Sequence, residues 1–357
     1  MHFELEEDHL ILQEQVRRFA TEKLSPLTST LAHASLPLDD LLVEIAALGL
    51  RGPRVDMNHD GMELDATSDL LILEEIARQD AGLALVLANH NLGAFAMSLL
   101  DHPWTNLFTS GEQWLCTAFI DEPGTTDHRL DLTLDFVPGA SALTHALLIT
   151  PTRFLLATLT HESVTTTPLE KSLGLRSCSP CRITFTQTPV ETLQQSAKSA
   201  SQAEHVHHLL HATHHAHLGT ILTALGRSAY EVGANYAFDR KQFDRRLTDF
   251  QVTQFKLATI YTNLTAAHHL VRLAGHQLTT SPADALSTAL QAHGLAITAT
   301  RNACDESLQL HGGYGYTSEY AIERHYRDAL TIAAIDGGKQ RADRRAGEQI
   351  ITRGQIG

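Results

Sequence analysis

Three stretches of this chain carry residues whose types and spacing could do chemistry. The first runs from Leu308 to Gln340. Gln309 precedes the pair Gly312-Gly313; Tyr314, Tyr316 and Tyr320 follow, then Arg324, Arg327 and Asp328; one carboxylate, Asp336, stands directly before Gly337-Gly338. Paired glycines let backbone approach a ligand where a side chain would block it. The second stretch is a histidine run: His205, His207, His208, His211, His214, His215 and His217. His207/His211 and His211/His215 have the i, i+4 spacing that can bind zinc from one helix face, yet no local carboxylate completes an H-E-x-x-H site. The expectation is no metal, and a solvated face with one or two buried histidines. The third is Cys178-Ser179-Pro180-Cys181. With no second cysteine pair it lacks the four ligands of a structural zinc site, which leaves a redox pair or a plain loop.

These residues need elements to hold them. An amphipathic pattern over Glu6–Lys23, with Leu10, Ile11, Val16 and Phe19 at helical spacing, predicts a helix stopped by Pro26. A second helix covers Leu38–Leu48 and ends at Gly49; Leu64–Leu100 predicts two helices broken near Gly82. From 112 to 190 the pattern changes to short β-type runs at Trp114–Phe119, Leu132–Val137, Ala146–Thr150, Phe154–Leu159 and Cys181–Phe185. A polar linker, Gln194–Gln202, precedes helices expected from Ala203 to near Ala237, from Asp249 to near Leu278, and from near Ala283 to the Gly312-Gly313 break. A charged helix around Arg324–Asp328 follows. The expected division is residues 1–111 helical, 112–200 a short β segment, and 201–357 helical.

At 357 residues the chain is long enough to bury a large core in two or three subdomains. Its 43% hydrophobic and 19% charged residues are ordinary for a soluble globular protein. No apolar run reaches the ~20 residues of a bilayer span, so no membrane partner is expected. The acidic start, Met1-His2-Phe3-Glu4-Leu5-Glu6-Glu7-Asp8, does not read as a signal peptide. A net charge of −14 argues against nucleic-acid binding through phosphate neutralisation. Four cysteines make no disulfide framework, and the reading is a cytoplasmic protein.

Two multi-residue motifs, in order and at matching spacing, resemble the acyl-CoA dehydrogenase family. Gln309-Leu310-His311-Gly312-Gly313-Tyr314-Gly315-Tyr316, then Arg324-His325-Tyr326-Arg327-Asp328-Ala329, resemble that family's Q-x-x-G-G-x-G-[YF] and R-x-x-R-D-A. Arg240-Lys241-Gln242-Phe243 with Phe250-Gln251-Val252-Thr253-Gln254-Phe255-Lys256-Leu257-Ala258 resembles R-K-Q-F-G and F-Q-A-x-Q-F-x-L-A. Weaker likenesses lie at Glu74–Ala84 and at Leu173-Gly174-Leu175-Arg176-Ser177, and the latter places Cys178–Cys181 at a loop-to-strand junction. The resemblance covers nearly the whole chain. It implies a mainly α fold with a small central β domain: an N-terminal helical domain, a β-barrel-like middle domain and a C-terminal four-helix bundle that makes a homodimer or homotetramer.

The resemblance also implies the chemistry: FAD-dependent α,β-desaturation of an acyl thioester, on CoA or an acyl-carrier protein, with electrons passed to an electron-transfer flavoprotein or another acceptor. Asp336 stands where the family has its catalytic glutamate. A carboxylate in an apolar pocket can have its pKa raised toward working pH and serve as a base; the other reading of Asp336 is a helix terminator. Some members place the base on an earlier helix, near His211–His217, where His214 or His215 would have to serve. Arg240, Gln242 and Phe243 match residues that reach FAD across a subunit interface, and a guanidinium suits phosphate. Gln254, Gln309, Gly312, Gly313 and Gln340 carry over as further FAD neighbours. The flavin ring would meet Asp121, in Ile120-Asp121-Glu122-Pro123-Gly124-Thr125-Thr126-Asp127, and Phe136, in Phe136-Val137-Pro138-Gly139-Ala140; both runs depart from the family pattern, and Asp121 replaces a hydroxyl residue. His215 and Tyr314 are expected on the substrate side, with His215 near a family arginine. Those departures keep open a member that has left redox chemistry, as a non-catalytic subunit or a proton-transfer or cyclisation enzyme.

Overall fold

The N-terminal pattern folds as α1 (Glu7–Phe19), which buries Val16 and Phe19 but leaves Leu10 and Ile11 half exposed. Pro26 does not stop this helix. A π-helical turn over Ala20–Leu24 leads straight into α2 (Ser25–Thr30), with Pro26 as the second residue of α2. The computed structural model describes residues 4–30, 38–110, 113–121, 125–126, 128–139, 142–193 and 200–352. Met1–Phe3, Glu122-Pro123-Gly124, Asp127, Ala140 and most of the Gln194–Gln202 linker lie outside the described residues.

α3 (Leu38–Ala47) matches its expected range. The long apolar stretch splits into α4 (Ala66–Ala77) and α5 (Ala81–Leu99), but the break lies at Arg78–Asp80, ahead of Gly82. Asp80 makes it, by accepting from the Leu83 N–H at 2.8 Å as an N-cap. Gly82 is inside α5, where a Cβ would sit 2.6 Å from Ser177 Oγ, so its role is close approach. α5 is apolar and long enough to cross a bilayer, but 78% of it is buried in the core. A short α6 (Thr105–Thr109) leads to the strands.

All five expected strand runs are present. One four-stranded sheet has the order β1-β4-β5-β8, formed by Leu115–Phe119, His145–Ile149, Phe154–Thr158 and Glu191–Leu193; β1 pairs parallel with β4 and the rest are antiparallel. An antiparallel sheet has the order β2-β3-β7-β6, formed by Thr125–Thr126, Arg129–Val137, Cys181–Pro189 and Val164–Pro168. The threonine-rich β6 lacks an apolar face and gave no strand signal; it forms because β7 supplies its pairing partner.

Three long helices follow: α7 (Ala200–Asp239), α8 (Gln251–Thr280) and α9 (Pro282–His311). Between α7 and α8 the hairpin β9–β10 (Lys241–Gln242, Arg245–Arg246) turns through Phe243 and Asp244, both left-handed. α10 (Ile322–Ile332) and α11 (Gly338–Thr352) complete the chain, and α11 packs on α9 beside α7 and α8 to give four helices at the C-terminal end.

Candidate active site

Three motifs that are far apart in sequence meet in one buried knot. Asp80, at the α4–α5 junction, accepts from Ser177 Oγ at 2.8 Å and lies 3.4 Å from Arg324 of α10. Asp328, also on α10, accepts the Leu175 backbone N–H at 2.6 Å, and burial raises its pKa to about 6. Gly174 passes so close to α10 that a Cβ would lie 2.4 Å from the Arg327 carbonyl. The expected ion pairs of this helix are present, Arg324 with Asp80 and Arg327 with Glu323 at 2.7 Å. Cys178 belongs to the same loop; its buried thiol donates to the Leu175 carbonyl, and burial pushes its pKa up, against thiolate chemistry.

The knot fixes α10, and α10 delivers the next turn. After Ile332 the chain enters a short 3₁₀ turn, Ile335–Gly337, in which Asp336, Gly337 and Gly338 have φ of 53°, 74° and 63°. Aspartate tolerates the left-handed region better than most residues, and Gly338 has no alternative, because a Cβ there would meet the Ala333 carbonyl at 2.6 Å. This turn carries Asp336 to the wall of a cavity of about 310 Å³. Leu85 and Asn89 of α5, Thr117–Phe119 of β1, Phe136 and Pro138 at the end of β3, and His214 of α7 form the other walls. A more apolar recess of about 580 Å³, lined by Leu169, Leu173 and Leu330, adjoins it and shares Phe136, Ala334 and Ile335. The helical N-terminal segment, the sheets and the C-terminal helices thus all contribute to one space.

Asp336 is not held in an apolar pocket, as expected of a carboxylate base. It is 12% exposed, and its oxygens lie 3.5 Å from Arg341 Nη1, 4.0 Å from Arg345 Nη1, 3.6 Å from His215 Nε2 and 3.9 Å from His214 Nε2. Arg341 and Arg345 were not singled out from sequence, although their i, i+4 spacing on one helix was the available signal. The histidine run divides as the helix turns. His211 stacks on Phe119 with ring centroids 4.0 Å apart, His214 lines the cavity, and His215 is 1% exposed behind it, against His293 of α9. Burial lowers these pKa values, His211 to about 2, His214 to about 4 and His215 well below the usual imidazole range. Among the described residues no group of three or more His, Cys, Asp or Glu is arranged to hold a metal ion.

The remaining predicted site residues form a second group at the far end of the bundle. Tyr236 of α7 stacks on His311 of α9 at 4.1 Å, which brings the hairpin of Arg240, Gln242 and Phe243 beside Gln309, Gly312 and Gly313. Gln254 donates to the Thr248 carbonyl, in the short turn that follows the hairpin. All of these are exposed; Phe243 is 89% exposed on a left-handed turn residue, an unfavourable place for a bulky side chain. Gly312 and Gly313 have open space where Cβ atoms would point. Tyr314, half exposed, packs against Tyr320 at 5.8 Å and does not line the cavity. Along α7 the 21 residues from His215 to Tyr236 rise about 30 Å. Asp121 is exposed two residues beyond Phe119, and Gln340 is exposed in the first turn of α11; both belong to the cavity end.

Comparison with known proteins agrees with this architecture. Residues 6–102 match the model of the acyl-CoA dehydrogenase N-terminal domain, and residues 209–350 that of the C-terminal domain. A 3-(aryl)acrylate reductase of Clostridium sporogenes is 26% identical, over 93% of this chain and 95% of its own length. The human mitochondrial short-chain specific acyl-CoA dehydrogenase is 26% identical, over 94% and 88%. The solved structure of a glutaryl-CoA dehydrogenase from Mycobacterium smegmatis in complex with FADH2 superposes with a TM-score of 0.83 at 18% identity, covering 97% of this chain and 95% of that one. The relatives include both dehydrogenases and reductases. With both terminal domains matched and the fold shared end to end, this chain belongs to the acyl-CoA dehydrogenase family.

Proposed function

We propose that this protein is an FAD-dependent oxidoreductase that desaturates an acyl thioester, carried on CoA or an acyl-carrier protein, between Cα and Cβ. The observation that carries this reading is Asp336: a carboxylate in the wall of a cavity bounded on the far sides by β1 and Phe136. The chain's own groups fit the cofactor. Exposed backbone at Gly312-Gly313, an exposed Arg240 fork, Gln242 and Gln309 suit a diphosphate, and Phe136 offers an aromatic face at the cavity. FAD, when bound, supplies the acceptor for the β-hydride. Asp336 takes the α-proton, Arg341 and Arg345 hold its carboxylate in place, and Leu85, Phe119 and Ile335 exclude water from the reacting carbons.

Because the two groups of flavin-facing residues lie about 30 Å apart along α7, one bound flavin meets both only if the hairpin group comes from a second copy. The exposed Phe238, Phe243, Val252 and Phe255 beside that hairpin supply an apolar surface for such a homodimer or dimer of dimers. Four buried cysteines, none in a disulfide, suit a reducing, cytoplasmic compartment. Electrons leave to an electron-transfer flavoprotein or another acceptor.

The test is the visible spectrum of the purified protein before and after anaerobic addition of a panel of acyl-CoA thioesters. Bleaching of an oxidised flavin is the expected result. One observation favours a second reading: Asp336 is engaged by two guanidinium groups and two imidazoles. A flavin that binds and never bleaches would move the assignment to a redox-silent family member.

A further inference from the structure

The cavity that holds Asp336 is small and only partly apolar. At about 310 Å³ it lies at the lower end of the range for small-molecule sites. Its polar lining groups are Asn89, Thr117, His214 and Asp336, and the rest of the lining is apolar. A polar group shut away from water is costly unless it finds a hydrogen-bond partner. The Thr117 hydroxyl is turned away from the cavity: it is buried against α5, where a Cβ on Gly93 would meet it at 2.4 Å. Asp336 is engaged by Arg341 and Arg345. Asn89 is different. It lies in the middle of α5, four residues after Leu85, so the two face the cavity from one side of the helix. From Ala81 to Ala94 every residue is buried except Asn89, which is partly exposed. Among the described residues its carboxamide makes no hydrogen bond. His214 makes none either; its Nε2 stops 3.9 Å from Asp336, and burial holds its pKa at about 4, so the ring is neutral. Water in the cavity satisfies both groups. An apolar acyl chain would displace that water and leave both unpaired, whereas a polar substituent would replace it.

We propose that the substrate of this protein is a short acyl thioester bearing an uncharged hydroxyl or N–H group beyond Cβ, and that the Asn89 carboxamide hydrogen-bonds that group. The inference rests on Asp336 being the base. A base must touch the α-proton, which places Cα in this cavity and not in the adjoining apolar recess, a space Asp336 does not line. In so small a cavity an acyl group seated on Asp336 reaches Asn89 within a few carbons. A carboxamide has N–H donors and a carbonyl acceptor, so it can donate to a hydroxyl oxygen or accept from a hydroxyl or N–H; the neutral His214 ring, with one donor and one lone pair, offers a second partner. Charged substituents fit less well. A carboxylate would meet the Asp336 charge, and an ammonium would approach two guanidinium groups that outnumber it. Asn89 determines specificity, and no bond is made or broken at it. Such a device is selective, because a site built to hydrogen-bond a substrate hydroxyl rejects the analogue that lacks it more strongly than an apolar pocket distinguishes one methylene.

The test uses the flavin-loaded protein and CoA thioesters that exchange a hydroxyl for a methyl group: 4-hydroxybutyryl against pentanoyl, and 5-hydroxypentanoyl against hexanoyl, with octanoyl as a long apolar probe. Two quantities are read. One is kcat/KM for flavin bleaching; the other is the calorimetric Kd on Asp336→Asn, which holds the thioester without turning it over. At least one hydroxyl compound should exceed its methyl partner by about tenfold or more in both. Asn89→Leu keeps the branched shape but cannot hydrogen-bond, and should bring that ratio to one or invert it at unchanged flavin content. Asn89→Ala, which suits a helix, makes the same test if the leucine is too bulky. A methyl preference or a ratio of one in the unmodified protein, or a preference for octanoyl, overturns the proposal and leaves the desaturation reading standing. So does a hydroxyl preference that survives both Asn89 variants. If no thioester bleaches the flavin while the hydroxyl preference in binding persists and depends on Asn89, the desaturation reading fails and recognition of a polar acyl group stands.

Discussion

Asp336 is the residue on which the functional reading turns, and its backbone explains its type. At φ 53° a short side chain that can bond locally is favoured over glutamate, so the left-handed turn and the aspartate belong together. Replacing it with asparagine keeps the shape and the hydrogen-bonding reach but removes the base. Asp336→Asn is expected to retain flavin at full occupancy and to lower the rate of flavin bleaching by about 10²–10⁴-fold, measured by anaerobic stopped-flow absorbance. Bleaching at the unmodified rate would show that another group takes the proton. Arg341 and Arg345 would remain, so a loss of flavin in this variant would point instead to a structural role for the turn.

At the scale of elements, the knot of Asp80, Gly174–Ser177 and Arg324–Asp328 positions the turn from a distance. Each partner comes from a different part of the fold, and the Asp80–Arg324 contact spans 244 positions in sequence. Gly174→Ala would drive a methyl group into the Arg327 carbonyl and force α10 away from the loop. Overpacking of this kind costs about 1–3 kcal/mol, so a melting temperature lowered by a few degrees is expected in scanning calorimetry. Because α10 leads directly into Asp336, the bleaching rate should fall with it while acyl-chain preference stays the same. A variant with unchanged melting temperature and rate would show that α10 is held by other contacts.

At the scale of the whole molecule, two consequences follow. The hairpin and the α8 start expose Phe243 and Phe255. Phe243→Asp with Phe255→Asp is expected to convert a dimer or larger assembly to monomer in light scattering, with loss of flavin and an unchanged circular dichroism spectrum. A double variant that stays assembled and yellow would place the interface elsewhere. The second consequence concerns acid. His90, His215, His293 and His325 are buried, and burial lowers their pKa values, to about 4 for His293 and about 3 for His325. A group with a depressed folded-state pKa contributes stability that is present above its unfolded value, near 6.5 for histidine, and that is lost as pH falls toward the folded value. Each such histidine removes about 1.4 kcal/mol per pH unit in that window. Asp328 acts in the opposite sense: its contribution is full below its unfolded value, near 4, and is lost as pH rises through about 6. The histidines outnumber it, so the melting temperature should fall by about 10 °C between pH 7 and pH 5. A flat profile over that range would mean that the buried rings are protonated in the folded protein.

The sequence by itself determined the family and most of the long helices, because apolar periodicity and contiguous motifs are local properties; α6 and α11 carried no such signal. Its errors were local as well. Pro26 is expected to stop a helix, whereas a π turn runs through to α2 there, and the break expected near Gly82 lies at Arg78–Asp80. Only the tertiary structure decided which histidines of a crowded helix are buried, and that one of them meets His293, 78 positions away. It also decided that Asp336 lies among arginines from the helix that follows it, and that the two groups of predicted flavin contacts stand far apart along α7. None of these depends on local spacing. Each depends on which faces of long helices pack together, and that is set by burial of apolar surface summed over the whole chain.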